Sequence, residues 1–279
     1  MALFDLSKIE PPRHMTTFTN SDGASMHFKV DGDDNDGPVV VFLNGMTQTT
    51  RHWASHVRAL RDSRRILTYD ARGQGQSAPP KSTPTLALHT SDLREILDHL
   101  HIDKVDLVGF SHGARIALGF ATTYPDRVRR LILCSATAEP TALARTIIRS
   151  WQKVLQTGGL SALAWCSLPT ILGPKFLEQN ERLLTNVVKA SVERNSEMGT
   201  RLLLDGLAEF PPLDDLAGKV RAKTLVLSAT DDPLVSPEGA RKLAKLCGGT
   251  HKIVEDSGHT IPIERPKYFR ELVTNFLAR

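Results

Sequence analysis

Val105-Asp106-Leu107-Val108-Gly109-Phe110-Ser111-His112-Gly113-Ala114-Arg115-Ile116-Ala117-Leu118 is the stretch that decides the fold. Its first half, Val105–Phe110, is a short apolar run bounded by turn residues and reads as a buried strand. Its second half opens a helical pattern over His112–Thr123. There Ala114, Ile116, Ala117, Leu118, Phe120 and Ala121 leave almost no polar face, so the helix is expected to be buried. Between them lies Gly109-Phe110-Ser111-His112-Gly113. A Gly-x-Ser-x-Gly between strand and helix is a nucleophile elbow, a turn so tight that a side chain on either flanking glycine would clash. The turn lifts the Ser111 hydroxyl to a helix N-terminus, where free N–H groups favour developing negative charge.

Working outward, strands are predicted at Met15–Asn20, Ser25–Val30, Val39–Leu43, Arg65–Asp70 and Val128–Ser135, with a hairpin signal at Asn20-Ser21-Asp22-Gly23. Helices are predicted at His52–Arg61 and Leu86–His101. Strands alternating with helices imply right-handed crossovers, hence an α/β fold with a mostly parallel central sheet flanked by helices. After Ser135 the rhythm stops. Only helix-like segments follow, at Thr141–Gln156, Lys175–Val188 and Glu197–Phe210. The rhythm resumes with Thr224–Ser228, Pro237–Leu246, His251–Val254 and Pro266–Leu277. The expected organisation is a core of residues 1–138 and 218–279, interrupted after the sixth strand by a helical cap over residues 139–217.

A serine needs a base, and the base an orienting acid. Behind an elbow these follow in the order Ser, Asp/Glu, His, each on a loop after a strand. Ser257-Gly258-His259 follows one late strand and supplies the base. Asp231-Asp232-Pro233 follows another. Pro233 fixes that turn and favours Asp232 over Asp231, which is left to cap the turn; Glu139 is a distant third candidate. The oxyanion donors are expected to be the backbone N–H groups of His112 and of Met46, in the loop Asn44-Gly45-Met46-Thr47 after the strand Val39–Leu43. Asn44 and Gly45, beside that donor, and Trp151 and Trp165 in the cap are the candidate substrate-binding residues.

These residues resemble the α/β-hydrolase superfamily, specifically its small capped esterase, lactonase and C–C hydrolase branch. The likeness runs from Phe18 to Phe276. It includes Asp70-Ala71-Arg72-Gly73-Gln74-Gly75-Gln76-Ser77, similar to that branch's Asp-x-Arg-Gly-x-Gly-x-Ser loop, and Gly258-His259 leading to Glu264-Arg265-Pro266. The resemblance implies a Ser-His-Asp triad, no cofactor and a helical lid over the site. Asn44 stands where the branch usually has histidine, and Ser228-Ala229 where it has glycine.

Other motifs carry less. Gly73-x-Gly75-x-x-Ala78 matches a dinucleotide fingerprint, but Pro79-Pro80 follow and no helix opens to receive a pyrophosphate. His52 and His56 have the spacing of a metal pair without a third ligand, so no metal is expected, although His52 is close enough to the oxyanion loop to line the site. Arg115 interrupts an apolar helix and is expected to be ion-paired near the end of the sheet, with anchoring of an anionic substrate as the minority reading. Lys+Arg 35 against Asp+Glu 31 gives a net charge of +4 without charge runs, which speaks against a nucleic-acid partner. No apolar run approaches the ~20 residues of a membrane span, and Met1–Met15 lacks a secretory pattern. Cys134, Cys166 and Cys247 form no Cys-x-x-Cys pair, which points to a reducing cytoplasm.

The reading that follows is a serine hydrolase acting on a small carboxylic ester, lactone or thioester through an acyl-enzyme. The rivals are non-hydrolytic chemistry on the same residues (acyl transfer, C–C cleavage or cofactor-free oxygenation) and a slow-turnover ligand receptor. Composition and motifs leave substrate identity and oligomeric state open.

Overall fold

Apolar residues that alternate in direction along each central strand split the core into two layers, and this fixes the architecture. In β3 (Val39–Leu43), Val39, Val41 and Leu43 enter one cluster while Val40 and Phe42 enter the other. In β5 (Val105–Phe110), Val105 and Leu107 pack on the first side, Val108 and Phe110 on the second. The protein, seen in a computed structural model that describes residues 16–33 and 35–278, is an eight-stranded sheet in the order β1-β2-β4-β3-β5-β6-β7-β8. The remaining strands are β1 (Thr16–Thr19), β2 (Ser25–Asp31), β4 (Ile66–Tyr69), β6 (Val128–Cys134), β7 (Lys223–Ala229) and β8 (Thr250–Val254). The β1–β2 and β2–β4 pairs are antiparallel, and every pair from β4 through β8 is parallel. The expectation for Met1–Met15 falls outside the described residues.

Helices cover both faces. α2 (Leu86–His99), α3 (His112–Thr123) and α9 (Pro237–Leu246) supply Leu93, Ile116 and Leu243 to the first cluster. α1 (Ala54–Leu60) and α11 (Pro266–Ala278) supply Val57 and Phe269 to the second. A short α10 (Ile261–Glu264) precedes α11.

Between β6 and β7 the chain is helical: α4 (Ala142–Ile171), α5 (Pro174–Asn180), α6 (Leu184–Arg194), α7 (Glu197–Glu209) and α8 (Leu213–Ala217). Two details differ from the sequence expectation. The first helix does not end near Gln156 but continues to Ile171 through a break at Gly159, whose φ of +70° and ψ of −171° are non-helical. The segment expected as one helix over Lys175–Val188 is two, α5 and α6, joined by a 3₁₀ turn at Glu181–Leu183. Among the described residues, no helix is long and apolar enough to cross a membrane.

The dinucleotide-like loop has a structural job. Asp70 accepts the N–H groups of Thr50 (2.7 Å) and Gln76 (3.0 Å), Arg72 pairs with buried Asp92, and a Cβ on Gly75 would meet the Asp70 carboxyl. Gln74 Nε2 donates to the Gly45 carbonyl at 2.9 Å, so this loop braces the one after β3.

Candidate active site

The C-terminal ends of the parallel strands converge on one spot, as expected for ligand sites in such sheets. Ser111 follows β5 with φ +52° and ψ −112°, a strained conformation for a residue with a side chain. Its glycine neighbours are required sterically. A Cβ on Gly109 would lie 2.5 Å from the Gly113 carbonyl oxygen, and one on Gly113 would run into the Leu43 carbonyl.

His259 follows β8 and brings Nε2 within 2.8 Å of Ser111 Oγ. Its Nδ1 lies 2.7 Å from Asp232 Oδ2, on the loop after β7. Asp232 Oδ1 accepts the N–H groups of Leu234 (2.8 Å) and Val235 (3.1 Å), so the carboxylate is held at both oxygens. The turn-capping role expected of the neighbouring acid therefore belongs to Asp232 itself. Asp231 is exposed, with its backbone N–H bonded to the Ser257 carbonyl, and Glu139 is an exposed partner of Lys242. The Phe110 ring packs on the His259 imidazole, centroids 5.4 Å apart.

Several positioning groups escaped the sequence reading. Ser135, at φ +55° just past β6, donates its hydroxyl to the His259 carbonyl at 2.7 Å. Glu264 accepts from the N–H groups of Gly258, Gly173 and Thr260 and from the Thr260 hydroxyl. It thus ties the His259 loop to the α4–α5 junction. Asn195, at the end of α6, donates to the Thr47 carbonyl and anchors the loop after β3 to the helical insertion. Only Glu264 had a signal, in the Glu264-Arg265-Pro266 ending.

The backbone N–H groups of Met46 and His112 have no hydrogen-bond acceptor among the described residues. Thr47, at φ +61°, turns this loop beside Met46. Met46, Ser111, His112 and His259 all line one cavity of about 490 Å³, enclosed between the strand ends and the insertion. Trp151 and His52 line it too. Three residues expected to bind substrate are absent from its wall. Asn44 is buried and spent internally, accepting from Trp53 Nε1 (2.8 Å) and donating to the Tyr69 carbonyl (2.9 Å). Gly45 has its open side filled by the Phe110 ring, 2.5 Å from where a Cβ would stand. Trp165 lies off the inward stripe Leu160, Leu163, Ala164, Ser167, Leu168 of α4 and is 46% exposed.

Electrostatically the wall is cationic or neutral. Burial pulls the His52 imidazole down to about 4, helped by Arg194, and the His112 imidazole down to about 4, helped by Arg115. Both rings are neutral near pH 7. His56 is not part of the cavity wall; its Nε2 meets the Pro262 carbonyl at 3.1 Å. Among the described residues, no cluster of three His, Cys, Asp or Glu side chains is placed to hold a metal ion.

A profile of the alpha/beta hydrolase family matches residues 40–272. The chain belongs to that family. Among its relatives, a Caulobacter protein named as the carbamate hydrolase RutD is 27% identical over 256 residues, spanning 88% of this chain and 93% of its own. A Bacillus subtilis protein named as a 2-succinyl-6-hydroxy-2,4-cyclohexadiene-1-carboxylate synthase is 29% identical over 271 residues, 93% of this chain and 97% of its own. Among solved structures, the enol-lactonase from Burkholderia xenovorans superposes with a TM-score of 0.87 at 26% identity, covering 95% of this chain and all of that one. The likeness to that structure therefore extends over nearly the whole of this chain.

Proposed function

We propose that the protein is a serine hydrolase that cleaves a small carboxylic ester, lactone or thioester through an acyl-enzyme. The observation that carries the reading is the unbroken hydrogen-bonded chain Ser111–His259–Asp232, ending at a cavity beside two unpartnered N–H groups. Ser111 Oγ attacks the carbonyl carbon as His259 Nε2 takes its proton. Asp232 holds the Nδ1–H tautomer and stabilises the imidazolium. The negative charge gathers on the carbonyl oxygen, where the Met46 and His112 N–H groups receive it. His259 then gives the proton to the leaving oxygen or sulfur. Water, deprotonated by the same imidazole, repeats the cycle and frees the acid. The helical insertion serves as the lid, with Trp151 forming part of the acyl pocket, and the three free thiols fit a cytoplasmic setting.

The test is Ser111→Ala. Hydrolysis of p-nitrophenyl butyrate should fall to background while the circular-dichroism melt stays in place. Turnover undiminished in that variant would refute the assignment. A second reading, non-hydrolytic chemistry on the same three residues, is favoured by the relative named as a synthase. Product analysis distinguishes them, because only hydrolysis places ¹⁸O from labelled water in the released acid.

A further inference from the structure

Arg115 stands one helical turn beyond Ser111, its backbone N–H donating to the Ser111 carbonyl at 3.3 Å, and its side chain reaches the same cavity. The sequence expectation of an ion pair near the sheet end is not met. Among the described residues no carboxylate lies within salt-bridge distance of its guanidinium, and the side chain makes no hydrogen bond. By contrast Arg72 and Arg129, also set into the core domain, are paired with Asp92 and Asp106. Burial lowers Arg115 to about 10, with no charged neighbour acting on it, so it remains a cation near neutral pH. The rest of the wall offers no compensation. It contains no Asp or Glu, and Arg145, Arg149 and Arg194 of the helical insertion add three further guanidinium groups. A half-buried guanidinium facing an acid-free cavity is suited to an anion, and its planar fork matches a carboxylate.

We propose that the substrate carries a carboxylate close to its scissile carbonyl, and that Arg115 binds this carboxylate while Ser111 attacks the ester. The inference rests on the hydrolase reading and narrows it. Ser111 and Arg115 line one cavity of about 490 Å³, so a single small molecule can meet the nucleophile and the cation together. Short dicarboxylic half-esters and lactones with a carboxylated side chain offer both groups in one small molecule. The largely aliphatic remainder of the wall (Leu163, Leu168, Ile171 and Val188) receives the uncharged end.

Two measurements test this. In the Ser111→Ala protein, monoethyl glutarate should bind at least about tenfold more tightly than ethyl pentanoate by calorimetry, and adding Arg115→Met should remove that preference. In the active protein, the ratio of kcat/KM for monoethyl glutarate over ethyl pentanoate should exceed about 10, collapse toward 1 in Arg115→Met and be partly retained in Arg115→Lys. If Arg115→Met unfolds, Arg115→Lys and Arg115→Gln carry the comparison. Equal binding of both compounds, or equal loss on both substrates in the Arg115 variants, overturns the proposal. Charge-selective binding without hydrolysis of any ester would keep the anion site and sink the hydrolase reading. Ester turnover without charge selectivity would do the reverse.

Discussion

Replacing Asp232 with asparagine tests the proposed division of labour at a single atom. Asp232 Oδ1 already accepts two backbone N–H groups, from Leu234 and Val235. An asparagine must keep its oxygen there, because an NH₂ in that place would face two donors. The amide nitrogen is then forced toward His259 Nδ1, at the position of the oxygen now 2.7 Å away. Nδ1 becomes an acceptor and the ring proton moves to Nε2, which then donates to Ser111 Oγ instead of accepting from it. The nucleophile loses its base while every heavy atom stays in place. A triad held in the wrong tautomer loses about 10⁴-fold in kcat, equivalent to about 5.5 kcal/mol of barrier. Initial rates on a short-chain ester, with a thermal melt on the same preparations, read this out. The melt should barely move, and Asp231→Asn, altering an exposed side chain, should stay within about twofold of the parent rate. A loss in Asp232→Asn of less than tenfold, or an equal loss in Asp231→Asn, would refute the reasoning.

Two further perturbations probe the surroundings. His56 and His112 are both buried, and burial holds each at about 4, below the ordinary value of 6.5. The unfolded chain takes up these protons first as pH falls. The stability they support is full above about pH 6.5 and is lost on the way down to about 4, amounting to about 2 kcal/mol per ring at pH 5. Urea titrations at pH 8 and pH 5 check this, and equal midpoints would contradict it. Glu264→Gln keeps one acceptor oxygen where four hydrogen bonds converge and sets an NH₂ against the donors of the other side. The expected cost is about 2–3 kcal/mol, seen as a melt lowered by several degrees, with a slower kcat because the His259 loop loosens. An unchanged melt would mean the hub is not needed.

The parts of this site that sequence made legible are those fixed by local geometry. Gly109 and Gly113 announce the elbow because nothing larger fits there, and the apolar runs around them announce the strand and the buried helix. The order of the late loops narrowed the acid to two adjacent residues, and Pro233 favoured the one that the chain places against His259. What stayed hidden depends on partners distant in sequence. Asn44 looked like a substrate contact because it flanks Met46, yet Trp53 and Tyr69 consume its polar atoms. Trp165 and Trp151 are alike in sequence, and only the break at Gly159 and the packing of α4 decide which faces inward. Arg115 was expected to find an acid at the sheet end because a buried cation ordinarily does. That it faces an acid-free cavity instead becomes visible only when the insertion is folded over the strands.

The most direct measurement is covalent. Incubated with a fluorophosphonate, the protein should take up one label per chain. Peptide mass spectrometry should place that label on the Ser111 hydroxyl, and the Asp232→Asn protein should react far more slowly. A chain that stays unlabelled, or carries the label on a different serine, would contradict the account at its centre.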